Sequence, residues 1–147
     1  MRLDNEIKLD YKDVLLKPKR STLSSRRDVD MTRSFTFRNS GHTYECCPIV
    51  ASNMDGVGTF SMAKAIQEYK MMTTITKTTT IDQWRKAVGD GIKLKYVSVC
   101  TGTNKLWTDE AEDYKTMKEV LKSYPDIKFI TVDVANGYHT NFSDFIS

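Results

Sequence analysis

The sequence is poor in cysteine and lacks the motifs that metal-binding cysteines form. Its three cysteines, Cys46, Cys47 and Cys100, make no CxxC pair and no ligand set with the two histidines. A disulfide framework and a zinc site each depend on such spacing. We therefore expect reduced thiols and no metal site.

Long apolar runs and charge of one sign are also scarce. The longest apolar runs, such as residues 48–51, are far shorter than the roughly 20 residues that span a bilayer. Charged and polar residues follow Met1 where a signal peptide would have its apolar core. The formal charge of +3 is too small to indicate a nucleic-acid partner. We expect a cytoplasmic protein with neither membrane nor nucleic acid as partner.

The sequence does contain a regular alternation of strand and helix patterns. Four short apolar segments, at 48–53, 71–77, 96–101 and 129–135, predict buried strands, and a helical pattern follows each of them. Thr80 and Gln83 form the signature of a capping box at the start of the second helix. Ahead of the first strand, residues 35–38 and 43–44 predict a short hairpin.

Such strands with crossover helices predict a parallel α/β fold, for which two architectures are open. A doubly wound sheet can close with 147 residues, whereas a complete (β/α)8 barrel needs about 250. Two features favour the barrel. No GxGxxG turn follows any strand, and the predicted hairpin is of the kind that closes the amino-terminal end of a barrel.

Three blocks of sequence resemble the GMP reductase family. They are residues 9–26, residues 35–60 and residues 133–138, the last reading Asp-Val-Ala-Asn-Gly-Tyr. IMP dehydrogenase shares the barrel but usually carries an inserted domain pair after the second βα unit, for which residues 84–96 leave no room. The resemblance therefore favours GMP reductase within the IMP dehydrogenase/GMP reductase family.

The resemblance implies an α/β fold that is the amino-terminal half of a (β/α)8 TIM barrel, with about four βα units preceded by a short hairpin. Residues 1–147 would form one partial barrel domain that stops before the catalytic cysteine loop. The family's reaction uses NADPH to reduce GMP to IMP with release of ammonia, through a covalent adduct on a cysteine. That cysteine, the monovalent-cation site and the substrate-phosphate site would lie in the carboxyl-terminal half.

The resemblance also implies roles for particular residues. Lys77 would support catalysis and contact the cofactor. Further cofactor-binding residues would be Ser25, Arg26, Asp133, Val134 and Ala135, and substrate-binding residues would be Asn53, Met54 and Asp55.

Each of these roles has a plainer alternative in the sequence. Arg26 could belong to a solvated basic loop, Lys77 could be a surface charge, and Asp133 could cap the turn at Asn136-Gly137. Cys100 is expected to be a buried, inert thiol, and Cys46 and Cys47 lie on the amino-terminal side of the predicted sheet.

Two functions stay open at this point. The first is the amino-terminal portion of an oxidoreductase of purine metabolism, inactive alone and dependent on a carboxyl-terminal half. The second is a non-catalytic nucleotide-binding or interaction module derived from that family. Either way, half a barrel has unpaired edge strands and inner side chains that would meet water, so we expect association with the missing half or with itself.

Overall fold

A computed structural model describes residues 3–103 and 111–147, and the chain divides into two compact units, Met1–Asp30 and Met31–Ser147. In the first unit, two short 3-10 turns span Tyr11–Asp13 and Arg26–Asp28. Each turn is closed by its own capping box, in which the backbone and side chain of the residue before the turn bond to the turn's third residue.

The second unit contains the strands and helices. Its described strands are β1 (Arg33–Thr36), β2 (Thr43–Cys46), β3 (Val50–Ala51), β4 (Met72–Ile75), β5 (Val97–Thr101) and β6 (Phe129–Val132). Its described α-helices are α1 (Phe60–Ile66), α2 (Ile81–Gly89), α3 (Glu112–Ser123) and α4 (Thr140–Ile146), with 3-10 turns at Gln67–Tyr69 and Leu94–Tyr96. Among the described residues, no helix has the length and apolar character needed to cross a membrane.

The predicted elements are present, but the strands are shorter than the apolar pattern indicated. The first, second and fourth predicted strands end at Ala51, Ile75 and Val132, because the ladders with their neighbours end there. The candidate site residues after these strands therefore lie in loops at the sheet's edge and not within the strands. The predicted capping box of α2 is confirmed, with the Thr80 N–H donating to Gln83 Oε1 at 2.8 Å.

The sheet order can be compared with the two architectures left open by the sequence. β1 and β2 form an antiparallel hairpin, and β3, β4, β5 and β6 form a parallel sheet in consecutive order. A doubly wound sheet reverses its strand order, and these four strands show no reversal. Helices α1, α2 and α3 pack in one core against the same face of β4 and β5, through Ile75, Val97 and Val99. This one-sided arrangement of a mixed α/β chain with a parallel sheet is consistent with a partial barrel.

A second, smaller core lies on the other face of the sheet, where the hairpin packs. Tyr44 and Cys46 of β2 contact Met72 and Tyr96, and the Tyr44 ring meets the Phe129 ring edge-on at 4.7 Å between centroids. The Tyr44 hydroxyl donates to the carbonyl oxygen of Lys95 at 2.9 Å. The predicted hairpin therefore covers the amino-terminal part of the inner face.

The expectation that inner side chains would meet water is wrong for the two central strands. Thr74, Ser98 and Cys100 point to the inner face and are only 5%, 1% and 3% exposed. Hydroxyl groups there bond to one another, Ser98 to Thr131 at 2.8 Å and Thr74 to Thr131 at 3.3 Å. On the edge strands, Val50 and Ile130 are 56% and 50% exposed.

Candidate functional site

The candidate site is built at the carboxyl-terminal edge of the parallel sheet. Lys77 lies two residues beyond β4, and Asp133 directly follows β6. Lys77 Nζ contacts Asp133 Oδ2 at 2.9 Å, although the two residues are 56 positions apart in the sequence. Both side chains are partly exposed, at 42% and 39%. The fold therefore brings together two of the predicted cofactor residues as an ion pair.

This ion pair keeps Lys77 cationic. The hydrogen bond to Asp133 raises the pKa of the Lys77 ammonium, and the nearby charges of Asp133 and Asp113 act in the same direction, while partial burial opposes them. The group is thus protonated throughout the neutral range. Chemically it can hold an anionic or carbonyl oxygen in place, and it is a poor proton donor at neutral pH.

Cys100 lies on β5, between β4 and β6, and the loops after those two strands carry Lys77 and Asp133. Burial raises the pKa of its thiol, and the negative charge of Asp133 raises it further. The side-chain amide of Asn53 donates to Cys100 Sγ at 3.7 Å. A buried thiol that stays protonated is a weak nucleophile, so the expectation that Cys100 is inert agrees with its surroundings. Cys46 and Cys47 are also buried free thiols, on the hairpin side.

The three predicted substrate residues lie on the loop after β3. Asn53 is half-buried and is the one that reaches Cys100. Met54 and Asp55 are exposed, and the Met54 carbonyl oxygen accepts from the Val57 and Gly58 N–H groups in a tight turn. Asn53 is therefore brought to the same strand edge as Lys77 and Asp133.

The plainer alternative for Asp133, a cap on the following turn, is not what the structure shows. Its carboxylate pairs with Lys77, and the turn is closed instead by Asn136, whose Oδ1 accepts from the Tyr138 N–H at 3.0 Å. Val134 is half-buried and Ala135 is exposed on the same loop.

Ser25 and Arg26 belong to the first unit. Ser25 precedes a 3-10 turn, where its Oγ accepts from the Arg27 N–H at 3.2 Å and its own N–H donates to Asp28. Arg26 is exposed. The Ser25 hydroxyl thus has a local structural role, and the assignment of both residues to a cofactor stays a prediction.

An open groove of about 730 Å³ adjoins Lys77. Its described lining comes from the starts of α2 and α3 and the loop before α2, namely Lys77, Thr78, Thr79, Thr80, Ile81, Ala111, Glu112, Asp113, Lys115, Thr116 and Glu119. The volume is in the range of small-molecule sites, and the hydroxyls and the ammonium are suitable partners for a phosphorylated cofactor. The lining also includes three acidic residues, Glu112, Asp113 and Glu119, so the binding of NADPH in this groove stays a prediction. In the described part of the chain, no group of three His, Cys, Asp or Glu residues could hold a metal ion.

The sequence patterns did not single out Asp113, which lines this groove. Its Oδ2 accepts from the Gly102 N–H at 2.8 Å, and it contributes to the charge around Lys77. An acidic residue in the first turn of a helix can be recognised from the sequence. Such residues are common, and they usually indicate only a favourable interaction with the end of their own helix. Only the folded chain places this carboxylate beside the end of β5.

Comparisons with known proteins show the family of this chain. Residues 8–147 match the profile of the IMP dehydrogenase / GMP reductase domain. The chain is 44% identical to human GMP reductase 2 over 145 residues, which cover 98% of this chain and 40% of the human protein. It is 42% identical to bovine GMP reductase 2, again over 98% of this chain and 40% of the relative. It is 41% identical to GMP reductase of Escherichia coli K12 over 100% of this chain and 41% of that protein. The chain thus spans about 40% of the length of these relatives, in their amino-terminal part. It belongs to the IMP dehydrogenase / GMP reductase family.

Proposed function

We propose that this chain is the amino-terminal, cofactor-side portion of a GMP reductase that converts GMP to IMP and ammonia at the expense of NADPH, in cytoplasmic purine metabolism. The observation that carries the proposal is the Lys77–Asp133 pair at the carboxyl edge of the sheet, in a chain whose residues 8–147 match the family profile. Barrel enzymes do their chemistry at that edge.

The proposed architecture is half of a (β/α)8 barrel, with residues 1–147 as one partial domain. The consecutive strand order and the one-sided helices support it, as does the hairpin on the inner face. β3 and β6 are the edges of the sheet, where a carboxyl-terminal half would add its strands. Pairing both edges would satisfy their backbone groups and cover Ile130.

In this proposal, each candidate residue has a defined task. Lys77 holds an electron-rich group of cofactor or substrate, and Asp133 orients the ammonium and accepts hydrogen bonds. Asn53, with Met54 and Asp55, forms the floor for the purine. Val134 and Ala135 add cofactor contacts within the second unit. Ser25 and Arg26 are proposed as cofactor-binding residues of the first unit. NADPH, when bound, supplies the hydride.

The nucleophile must come from outside this chain. All three of its cysteines are buried free thiols, and burial raises the pKa of Cys46 and Cys100. A thiolate nucleophile needs an accessible site that lowers its pKa. We therefore propose that the isolated chain is inactive and that a carboxyl-terminal half supplies the cysteine and the cation and phosphate sites.

Reconstitution tests the proposal directly. The chain is co-expressed with the part of human GMP reductase 2 that it does not match, and GMP-dependent oxidation of NADPH is measured for each part alone and for both together. Activity from the mixture alone supports the proposal. GMP-dependent oxidation by the chain alone would contradict it, as would an inactive mixture that forms a stable complex.

A second candidate is a non-catalytic nucleotide-binding or interaction module. The observation that favours it is the burial of every thiol in a chain that spans about 40% of its enzymatic relatives. Such a module would bind GMP or NADPH with the chain alone, and would gain no activity from any complementary half. Fluorescence titration with NADPH, together with the reconstitution assay, distinguishes the two functions.

A further inference from the structure

A single peptide group at the end of β5 connects two carboxylate residues. The carbonyl oxygen of Thr101 accepts from the backbone N–H of Asp133 at 2.8 Å. The N–H of Gly102, in the same peptide group, donates to Oδ2 of Asp113 at 2.8 Å. A continuous chain of hydrogen bonds therefore runs from Asp133 through the Thr101–Gly102 peptide to the Asp113 carboxylate.

This chain of bonds is polarised in one direction. An ionised carboxylate is a stronger acceptor than a neutral oxygen, and bonding at one end of a peptide group strengthens bonding at its other end. The second oxygen of Asp113, Oδ1, accepts from the Tyr114 N–H at 3.0 Å, which fixes the carboxylate on the first turn of α3. Asp113 thereby holds the start of α3, the end of β5 and the backbone of Asp133 in one arrangement.

Asp113 also acts on Lys77 through its charge. Both residues line the 730 Å³ groove, and the Asp113 carboxylate raises the pKa of the Lys77 ammonium together with Asp133. Cys100 is a further titratable group near Lys77 in the described part of the chain. Among the described residues that line the groove, Glu112 and Glu119 are the other acidic residues and Lys115 is the other basic one.

We propose that Asp113 is a positioning residue that sets the Lys77–Asp133 pair through the Thr101–Gly102 peptide. Its role in cofactor binding rests on the proposed function, whereas its role in ordering the pair does not. Removal of the carboxylate releases the Gly102 N–H and loosens the Asp133 backbone, and it leaves Lys77 with one acidic neighbour fewer.

The first test uses this chain alone and separates geometry from charge. Hydrogen exchange at the Gly102 and Asp133 amides and the titration of the Lys77 amine are followed by NMR in Asp113→Ala, Asp113→Asn and Glu112→Ala. The matched control, Glu112→Ala, removes an exposed carboxylate from the same helical turn and groove.

Asp113→Ala should accelerate exchange at both amides by about tenfold or more, as expected for loss of a charge-assisted hydrogen bond. Asp113→Asn keeps an acceptor oxygen and should stay within about threefold of the parent chain in exchange, since a neutral bond is weaker but present. Both Asp113 variants should lower the pKa of Lys77, and Glu112→Ala should change neither quantity. Unchanged exchange at Asp133 in Asp113→Ala, or the same effects from Glu112→Ala, would overturn the proposal.

The second test uses the reconstituted enzyme. Asp113→Ala should raise the KM for NADPH more than it lowers kcat, and Asp113→Asn should recover a substantial part of the loss. An equal loss in both variants would refute positioning by the acceptor oxygen. An inactive parent complex would contradict the proposed function and leave the exchange and titration results as the decisive test of Asp113.

Discussion

Gly58 offers the sharpest single test of the packing behind the site. A Cβ added at this residue would lie 2.4 Å from the Thr74 carbonyl oxygen, 2.9 Å from that of Ser52 and 3.0 Å from Asn53 Cα. All three contacts are backbone atoms, so no side chain can rotate away. The Gly58 carbonyl oxygen also accepts from the Thr76 N–H at 3.0 Å, which ties this loop to the end of β4.

The structure sets the size of the effect of Gly58→Ala. The Thr74 oxygen would have to recede by about 1 Å to reach ordinary contact at 3.4 Å. Overpacking of this kind costs about 1–3 kcal/mol, and backbone contacts on three sides place this case near 3 kcal/mol. For a chain of this length, that corresponds to a fall in Tm of about 6–12 °C. The loop that carries Asn53 should shift as well.

The matched control is Gly89→Ala. Gly89 is the last residue of α2, and a Cβ there would meet nothing within 4 Å. Alanine in a helix is more favourable than glycine by about 0.5–1 kcal/mol, so this variant should be neutral or slightly more stable. Thermal unfolding of the two variants and the parent chain, compared at one protein concentration, is the assay. A Gly58→Ala chain as stable as Gly89→Ala would refute the close approach of this loop to β4.

The other predictions concern the site, the thiols and assembly. In the reconstituted enzyme, Lys77→Ala and Asp133→Ala should each lower turnover with NADPH, whereas Cys46→Ser should not; a large loss in folded Cys46→Ser would show that the nucleophile is misplaced. Burial raises the pKa of the Cys100 thiol, so the thiol stays protonated to a higher pH in the folded chain than in the unfolded chain. Its contribution to folding stability is complete below the ordinary thiol pKa and is lost as the pH rises through the raised value. Because all three thiols are buried, their alkylation at pH 8 should be slow in the native chain and fast in denaturant, and one rapidly alkylated native cysteine would contradict the buried arrangement. Sedimentation at low micromolar concentration should show self-association or aggregation through the edge strands, and a compact monomer that unfolds cooperatively would argue against open edges.

Local patterns in the sequence predicted the order and type of the secondary-structure elements, but not where the strands end. The Thr80–Gln83 capping box depends on residues three apart, and both predicted bonds are present. The alternation of strands and helices depends on apolar spacing within each segment, and it is confirmed throughout the second unit. Strand ends were placed too late, because a ladder ends where the neighbouring strand ends, and that neighbour is distant in the sequence.

The contacts that make up the site were decided by the tertiary structure. The sequence alone determined that the chain is α/β, and its motifs identified Lys77, Asp133 and Asn53 through resemblance to a family. It did not show that Lys77 and Asp133 meet, because their contact closes a loop of 56 residues and exists only when β4, β5 and β6 lie side by side. The burial of Ser98 and the place of Asp113 beside Gly102 have the same origin. The spacing of residues along the chain indicates which side chains are neighbours within one helix or strand. The packing between helices and strands decides which side chains share a site.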